Sequence, residues 1–423
     1  MLNAKISFQN ALIFLFSIFP ISFLVGNLFI NLSIIIISIV YLLGIFFKKV
    51  EFKINDKFFL LLILFFITLL INLFFSNDIS LSYPRVLKFF FIIFFVLAYR
   101  YLIYLENNEL NYLYKLWSLI FAIVCIDLIF EFFVGFNLLG SKSYIPGRLA
   151  GFMGGKTKYD SELVIGNYFF AFALLSLSYF YKNYSKNKIL NISLAITLIL
   201  ISFFIGERSN FAKTTIAISL FVFFIYELNI KQKFFSIIFI VCFFALFLNL
   251  NPNYKVRYID QQIKTLKANN FKCISLNHCD HYKVAINIFK NNPFFGVGIK
   301  NFRIESFDIK YEILKKKADE KKKSKAWTGG STHPHQIHLE LLSETGIFGY
   351  LSFLILIFFS IYFSFKSYLL TKNIYQFSAI LFIVASLIPF LPSGSFFTTY
   401  SSGLFWINYA IMVGHTKKLN NEL

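Results

Sequence analysis

Twelve times along this chain a stretch of nearly uncharged apolar residues recurs at a length of about 20, the number of helical residues that crosses a bilayer's hydrocarbon core. The runs lie near residues 8–25, 27–47, 58–76, 87–104, 113–135, 161–181, 189–206, 210–228, 234–250, 347–365, 375–392 and 397–414. No water-soluble fold can bury so many. Charged residues make up only 15 % of the 423, hydrophobic residues 57 %, and Phe alone accounts for 60. A soluble globule is about a quarter charged, so disorder and a cytosolic enzyme are both excluded. The sequence predicts an all-α polytopic membrane protein with about 12 transmembrane helices. It divides into helices 1–9 (residues 1–250), a large outer loop (251–346), and helices 10–12 with a tail (347–423). The first run reads as a span rather than a cleavable signal, because no small-x-small site follows it and the next run begins at once.

The formal charge of +20 would suggest nucleic acid in a soluble protein. Here its placement follows orientation instead, since short cytoplasmic loops collect Lys and Arg. With the N-terminus inside, Lys48, Lys49, Lys53 and Lys57 fall inside, as do Lys182, Lys186, Lys188, Lys231, Lys233, Lys366, Lys372, Lys417 and Lys418. Both termini are therefore expected in the cytoplasm, with no nucleic-acid partner. Three outer segments keep basic residues against this trend. The loop after the fifth run holds Lys142, Arg148, Lys156 and Lys158, and a turn reads Gly206-Glu207-Arg208-Ser209-Asn210. The third is the insert 251–346, with lysines at 315–317 and 321–323. Long loops translocate whatever their charge, but cations kept in short outer loops need a reason, and an anionic ligand supplies one.

Three of the six His fall in Thr332-His333-Pro334-His335-Gln336-Ile337-His338-Leu339-Glu340. Pro334 suits a first helical turn, so a helix is expected to start there and run to Gly346, placing His335, His338, Leu339 and Leu342 on one face. Three readings stay open: His and Glu that merely solvate a loop end, a metal site of His333, His335, His338 and Glu340, or a general base. The His-Glu-x-x-His arrangement of helical zinc sites is missing, and imidazole titrates nearest neutral pH. Arg208, at a tight turn between spans, must face a polar cavity or snorkel; Glu207 beside it is a candidate ion-pair partner. Pro146–Gly155 is rich in Gly and Pro, so backbone can approach a ligand closely, but no dinucleotide or Walker pattern accompanies it. A helix is expected over His281–Phe289, stopped by Pro293-Phe294-Phe295-Gly296-Val297-Gly298. Cys125 and Cys242 sit in spans as packing residues. Cys273 and Cys279, in the insert, read as a small disulfide loop, with zinc held by Cys273, His278, Cys279 and His281 as the other possibility.

Taken together, these segments resemble the O-antigen ligase family. Its signature is His, then Asn, Ser or Gln, nine residues, Gly, two residues and Gly or a similar residue; here it reads His335-Gln336, nine residues, Gly346-Ile347-Phe348-Gly349, at the end of the large loop and before a span. The Gly206-x-Arg208 turn, the Arg148-x-x-Gly151 loop and the Pro293-x-x-Gly296-x-Gly298 stretch match in order. The resemblance implies an enzyme of the bacterial inner membrane, acting in the periplasm. It moves a glycan from undecaprenyl diphosphate onto the lipid A core, surrounded by membrane lipids. His335 would take the acceptor's proton, while Arg208 and Arg148 would hold the diphosphate. Gln336, His333 and His338 would belong to the substrate site. The family's usual Arg upstream of the Pro-Gly stretch aligns with Lys283, and Arg85, after the third run, is a further candidate for the same anion. No metal or other cofactor is expected, because the outer loops gather no carboxylates for a divalent cation. An inverting displacement follows from a single direct transfer. Alternatives are an O-antigen polymerase, a protein O-oligosaccharyltransferase, and a carrier that moves a lipid-linked glycan without reaction; against the last, transporters place polar sites near the midplane.

Overall fold

The computed structural model describes residues 2–104, 109–154, 164–226, 229–268, 276–311 and 330–416. Among these residues there is no strand. The helices in chain order are α1 (Leu2–Val25), α2 (Asn27–Phe46), α3 (Lys57–Phe74), α4 (Ile79–Tyr104), α5 (Glu109–Val134), α6 (Ile165–Tyr184), α7 (Lys188–Ile205), α8 (Arg208–Ile225) and α9 (Ile230–Leu250). Then come α10 (Pro252–Lys255), α11 (Gln261–Ala268), α12 (Leu276–Asn291), α13 (Phe302–Glu305), α14 (Ile337–Thr371), α15 (Ile374–Ser386) and α16 (Thr399–Gly414). A helix occupies each of the twelve apolar runs, and the protein is an all-α polytopic membrane protein.

Eight of these helices are long and apolar enough to cross a membrane, namely α1–α5, α7, α9 and α14. The other four fall short for a physical reason. Helices α6 and α16 are buried almost all round, so their neighbours are protein rather than lipid and they can carry Tyr, Ser and Asn. Small and hydroxyl side chains are what membrane helix contacts use; Ser360 on α14 meets the Tyr409 hydroxyl on α16 at 2.7 Å. Helix α8 carries Arg208 and a buried Lys213. Helix α15 ends at Ser386, short of the predicted 392, because Pro389 and Pro392 cannot extend it. By contrast α9 presents Phe234 and Phe235 outward, 61 % and 67 % exposed; an apolar face of that kind suits hydrocarbon, not water.

Between α9 and α14 the chain forms a small second core in which Val284, Ala285 and Ile288 of α12 pack with Val297, Phe302 and Tyr311. Helix α12 covers the predicted amphipathic stretch and lies against α14. The Pro-Gly stretch then runs beside α14, with Val297 N–H donating to Ser343 O at 3.1 Å and Gly298 N–H to Glu344 O at 2.9 Å. In return Ile347 N–H donates to Pro293 O at 2.8 Å. This contact needs Gly346, whose φ of 66° and ψ of −170° break α14. A Cβ there would fall on the Phe294 carbonyl.

Candidate functional site

The signature histidine does not sit on a helix. Helix α14 starts at Ile337, and Gln336 is its N-cap, accepting from Leu339 N–H at 2.7 Å. The expected start at Pro334 is therefore corrected: His335 precedes the cap at φ 58°, a left-handed conformation that cannot continue a helix. His335 and His338 accordingly do not share a helical face. What fixes His335 is a segment expected to be the end of one span and the start of the next. Residues 387–398 are non-helical throughout and fold back against the His motif. Ser393 N–H donates to His335 O at 2.9 Å, Gln336 Nε2 donates to Pro389 O at 3.0 Å, and the His338 ring meets Leu387 O at 2.8 Å. The same segment holds the arginine turn: Ser209 Oγ donates to Pro392 O, and Lys213 Nζ donates to it at 3.2 Å. Irregular backbone among membrane helices is tolerated where it lines a cavity, and this segment does.

That cavity has a volume of about 900 Å³. Its walls bring together Arg148, Arg208, His333 and His335, singled out in the sequence for this site, and His278, considered there only as a zinc ligand, with Arg257, Lys300 and Arg303, which were not singled out. Each lining segment comes from a connection after an odd-numbered run, so all belong to one side of the bundle.

The arginines are built in from below. Glu131 of α5, almost fully buried, accepts Ala150 N–H at 2.8 Å and Gly151 N–H at 2.7 Å. This pins the loop that carries Arg148. Glu207 pairs with Arg148 (Nη2 to Oε1, 3.0 Å), not with Arg208 as its position in sequence suggested, and also accepts Gly166 N–H at 3.2 Å. Arg208 Nη1 donates to Arg257 O at 3.2 Å, and Arg257 Nε donates to Gly206 O. Arg257 lies in a π-helical turn, Val256–Asp260, a geometry frequent at functional sites. Tyr258 OH ties that turn to Phe203 O at 2.8 Å. Burial, then the neighbouring Arg148 and Arg208 charges, lowers Arg257 to about 10, so it remains a cation at neutral pH.

Beside the arginines stand crowded imidazoles. The His335 ring centroid is 4.0 Å from that of His333, 4.7 Å from His278 and 5.5 Å from His281. Burial, followed by the nearby His278 and His281, lowers His335 to about 4; burial, His281 and Arg208 lower His278 to about 4. Both rings are therefore neutral at physiological pH and able to accept a proton. Among the described residues no group of three or more His, Cys, Asp or Glu is arranged to hold a metal ion. Cys279 is disulfide-bonded, which removes it as a zinc ligand; Cys273, its expected partner, lies outside the described residues, as do lysines 315–317 and 321–323. Cys125 and Cys242 are free.

Four expected site residues do not line this cavity. Gln336 spends its side chain on the α14 cap and Pro389. His338 is held between Leu387 O and Tyr350 OH, 3.2 Å from its Nδ1. Lys283 is exposed on α12 and pairs with Asp280 at 3.5 Å, whereas Arg257, also upstream of the Pro-Gly stretch, brings a guanidinium to the cavity beside Arg148 and Arg208. Arg85 sits in the first turns of α4, with Arg303 and Glu344 as its charged neighbours and its buried Nε lacking a hydrogen-bond partner. The missed segment 387–398 did carry a signal, Pro389, Pro392, Ser393, Gly394 and Ser395, which is loop composition.

The O-antigen ligase family model matches residues 171–354, which carry Arg208, Arg257, His278, Lys300, Arg303 and both cavity-lining His of the motif. Over these residues the chain is similar to the O-antigen ligase family. No curated protein matches it. That similarity supports ligase- or polymerase-type chemistry on lipid-linked glycans in a multi-pass bacterial membrane protein. Arg148 lies before the matched residues, yet the Glu207 ion pair joins it to the Arg208 turn inside them.

Proposed function

We propose that this protein acts as an O-antigen ligase, transferring a glycan from undecaprenyl diphosphate to the lipid A core at the periplasmic face of the inner membrane. The observation that carries the reading is the single cavity in which Arg148, Arg208 and Arg257 stand beside the neutral His335. A diphosphate is already a good leaving group, so the protein must stabilise charge as it develops and accept one proton. Guanidinium forks suit phosphate oxygens bidentately. The acceptor's hydroxyl oxygen forms the new bond to the anomeric carbon and its proton goes to His335. The bond from that carbon to the phosphate oxygen breaks, and its electron pair leaves on undecaprenyl diphosphate. One in-line displacement inverts the anomeric configuration. With cations supplied by Arg side chains, transfer persists in EDTA; loss on chelation with recovery on added zinc or manganese would bring back the metal reading of the imidazoles.

The deciding experiment is deletion in the native bacterium with analysis of surface glycan and of the carrier-lipid pool. Long polymer accumulating on the carrier while the lipid A core stays bare supports the ligase. Single repeats on the core in place of long chains would assign the polymerase instead. No change in either pool would overturn both.

A further inference from the structure

The cations that line the cavity fall into two sets. Arg148, Arg208 and Arg257 form the first, each within reach of another's charge. Lys300 and Arg303 form the second; the cations that Lys300 senses are Arg303 and Arg85, none of the first three. His278 lies in the field of Arg208, whereas His333 lies in that of Lys300. The His cluster therefore neighbours both sets of cations within one cavity.

The second set is built rather than incidental. Lys300 is 2 % exposed and adopts φ 67°, a conformation unusual for a side chain of its kind. Its Nζ donates to Ser395 Oγ, which in turn donates to Glu340 Oε1, and Phe396 N–H closes on the other Glu340 oxygen at 2.8 Å. Glu340 is completely buried. It fixes the ammonium in place and offsets its charge, with Glu344 as a second buried carboxyl group in the field of Lys300. Arg303 lines the cavity, is exposed, and has no side-chain hydrogen bond or ion pair among the described residues.

Stereochemistry says what this set faces. In an in-line displacement the nucleophile approaches the anomeric carbon from the side opposite the leaving diphosphate. If the three arginines hold the diphosphate, the acceptor enters from the imidazole side, towards Lys300 and Arg303. We infer that Lys300 and Arg303 form a second anion site that binds a phosphate carried by the acceptor. This rests on the transferase reading above. Two acceptors share the chemistry: a phosphorylated lipid core, and a second carrier-diphosphate-linked repeat.

The test uses the purified full-length protein in lipid nanodiscs, with the carrier-linked glycan as donor. The acceptors are native lipid A-core, the same lipid dephosphorylated, and a carrier-linked single repeat. Arg303→Ala is the informative variant, because an exposed side chain can be removed without unfolding, whereas loss of Lys300 would leave Glu340 buried and unpaired. The expected result is a rise of about tenfold in KM for the phosphate-bearing acceptor, equivalent to about 1.4 kcal/mol, with donor KM within about twofold of wild type. Arg303→Lys should recover part of the loss, and dephosphorylated acceptor should not distinguish variant from wild type. Whichever acceptor shows the shift identifies the source of the phosphate. An equal rise in donor KM, or the same penalty on dephosphorylated acceptor, would overturn the second site. Wild-type protein that transfers to no acceptor sinks the transferase reading itself, and this proposal with it.

Discussion

At the scale of single residues, His335 carries the sharpest expectations. Its backbone is left-handed at φ 58°, so His335→Ala removes the imidazole and also adds backbone strain. His335→Asn is the cleaner variant, because Asn tolerates that conformation better than most residues. Both should lose transfer by about 10²–10⁴-fold, the usual contribution of a general base, with membrane insertion unchanged. An Asn variant near wild-type activity would remove His335 as the base. The pH profile tests the same residue differently. Burial and the neighbouring imidazoles lower His335 to about 4, well below the ordinary value of about 6.5. The acid limb of kcat/KM, which reports the free enzyme, should fall near pH 4 rather than near 6.5. Folding stability declines over part of the same window: below about pH 6.5 unfolded imidazoles take up protons that the buried ones refuse, so the unfolded state binds more protons. Initial rates therefore have to be compared with the folded fraction at each pH.

At the scale of elements, glycines decide how the chain segments meet. Gly206 ends α7 at φ 76°, and a Cβ there would fall on the Gly147 carbonyl next to Arg148. Gly206→Ala should push the Arg148 loop away from the Arg208 turn, lowering transfer by at least about tenfold if positioning error behaves as it does in other enzymes. Gly346→Ala should destabilise the protein as a whole, since its φ and ψ are essentially restricted to glycine, at a cost of about 1–3 kcal/mol before the clash with Phe294. A lower melting temperature in detergent for Gly346→Ala, with a smaller effect for Gly206→Ala, checks both; equal and negligible shifts would contradict the backbone contacts described. These glycines also show what the sequence makes legible. The apolar runs locate twelve helices because length and hydropathy are local properties. The spacing from His335 to Gly346 stands out because a break in α14 needs glycine at one position. Arg257, Lys300, Arg303 and the segment 387–398 were not singled out, because their proximity depends on how distant helices pack. The helix start was misplaced by three residues because Pro334 satisfies a first turn as well as it satisfies a loop. The Gln336 cap, which settles the matter, competes with it only in three dimensions.

At the scale of the whole molecule, the cavity and the charge pattern make one joint demand. Each segment that lines the cavity comes after an odd-numbered run: Asn27 after the first, Arg148 after the fifth, Arg208 after the seventh, His278 to His335 after the ninth and Ser393 after the eleventh. Packing alone requires only that these segments share a side. The lysine distribution, read through the preference of short cytoplasmic loops for positive charge, gives the periplasm as the side expected. The two arguments are independent, because the first uses proximity in the fold and the second uses charges far from the cavity. Reporter fusions join them. A periplasm-active phosphatase fused after Gly140 should be active and one fused after Lys186 inactive, while a cytoplasm-dependent fluorescent reporter should give the reverse pattern. A cavity segment reported as cytoplasmic would leave the bundle intact but turn it over. The arginines and His335 would then face a compartment in which the undecaprenyl-linked polymer is not available as donor. The transferase reading would fail on orientation alone, even with every distance in the site unchanged.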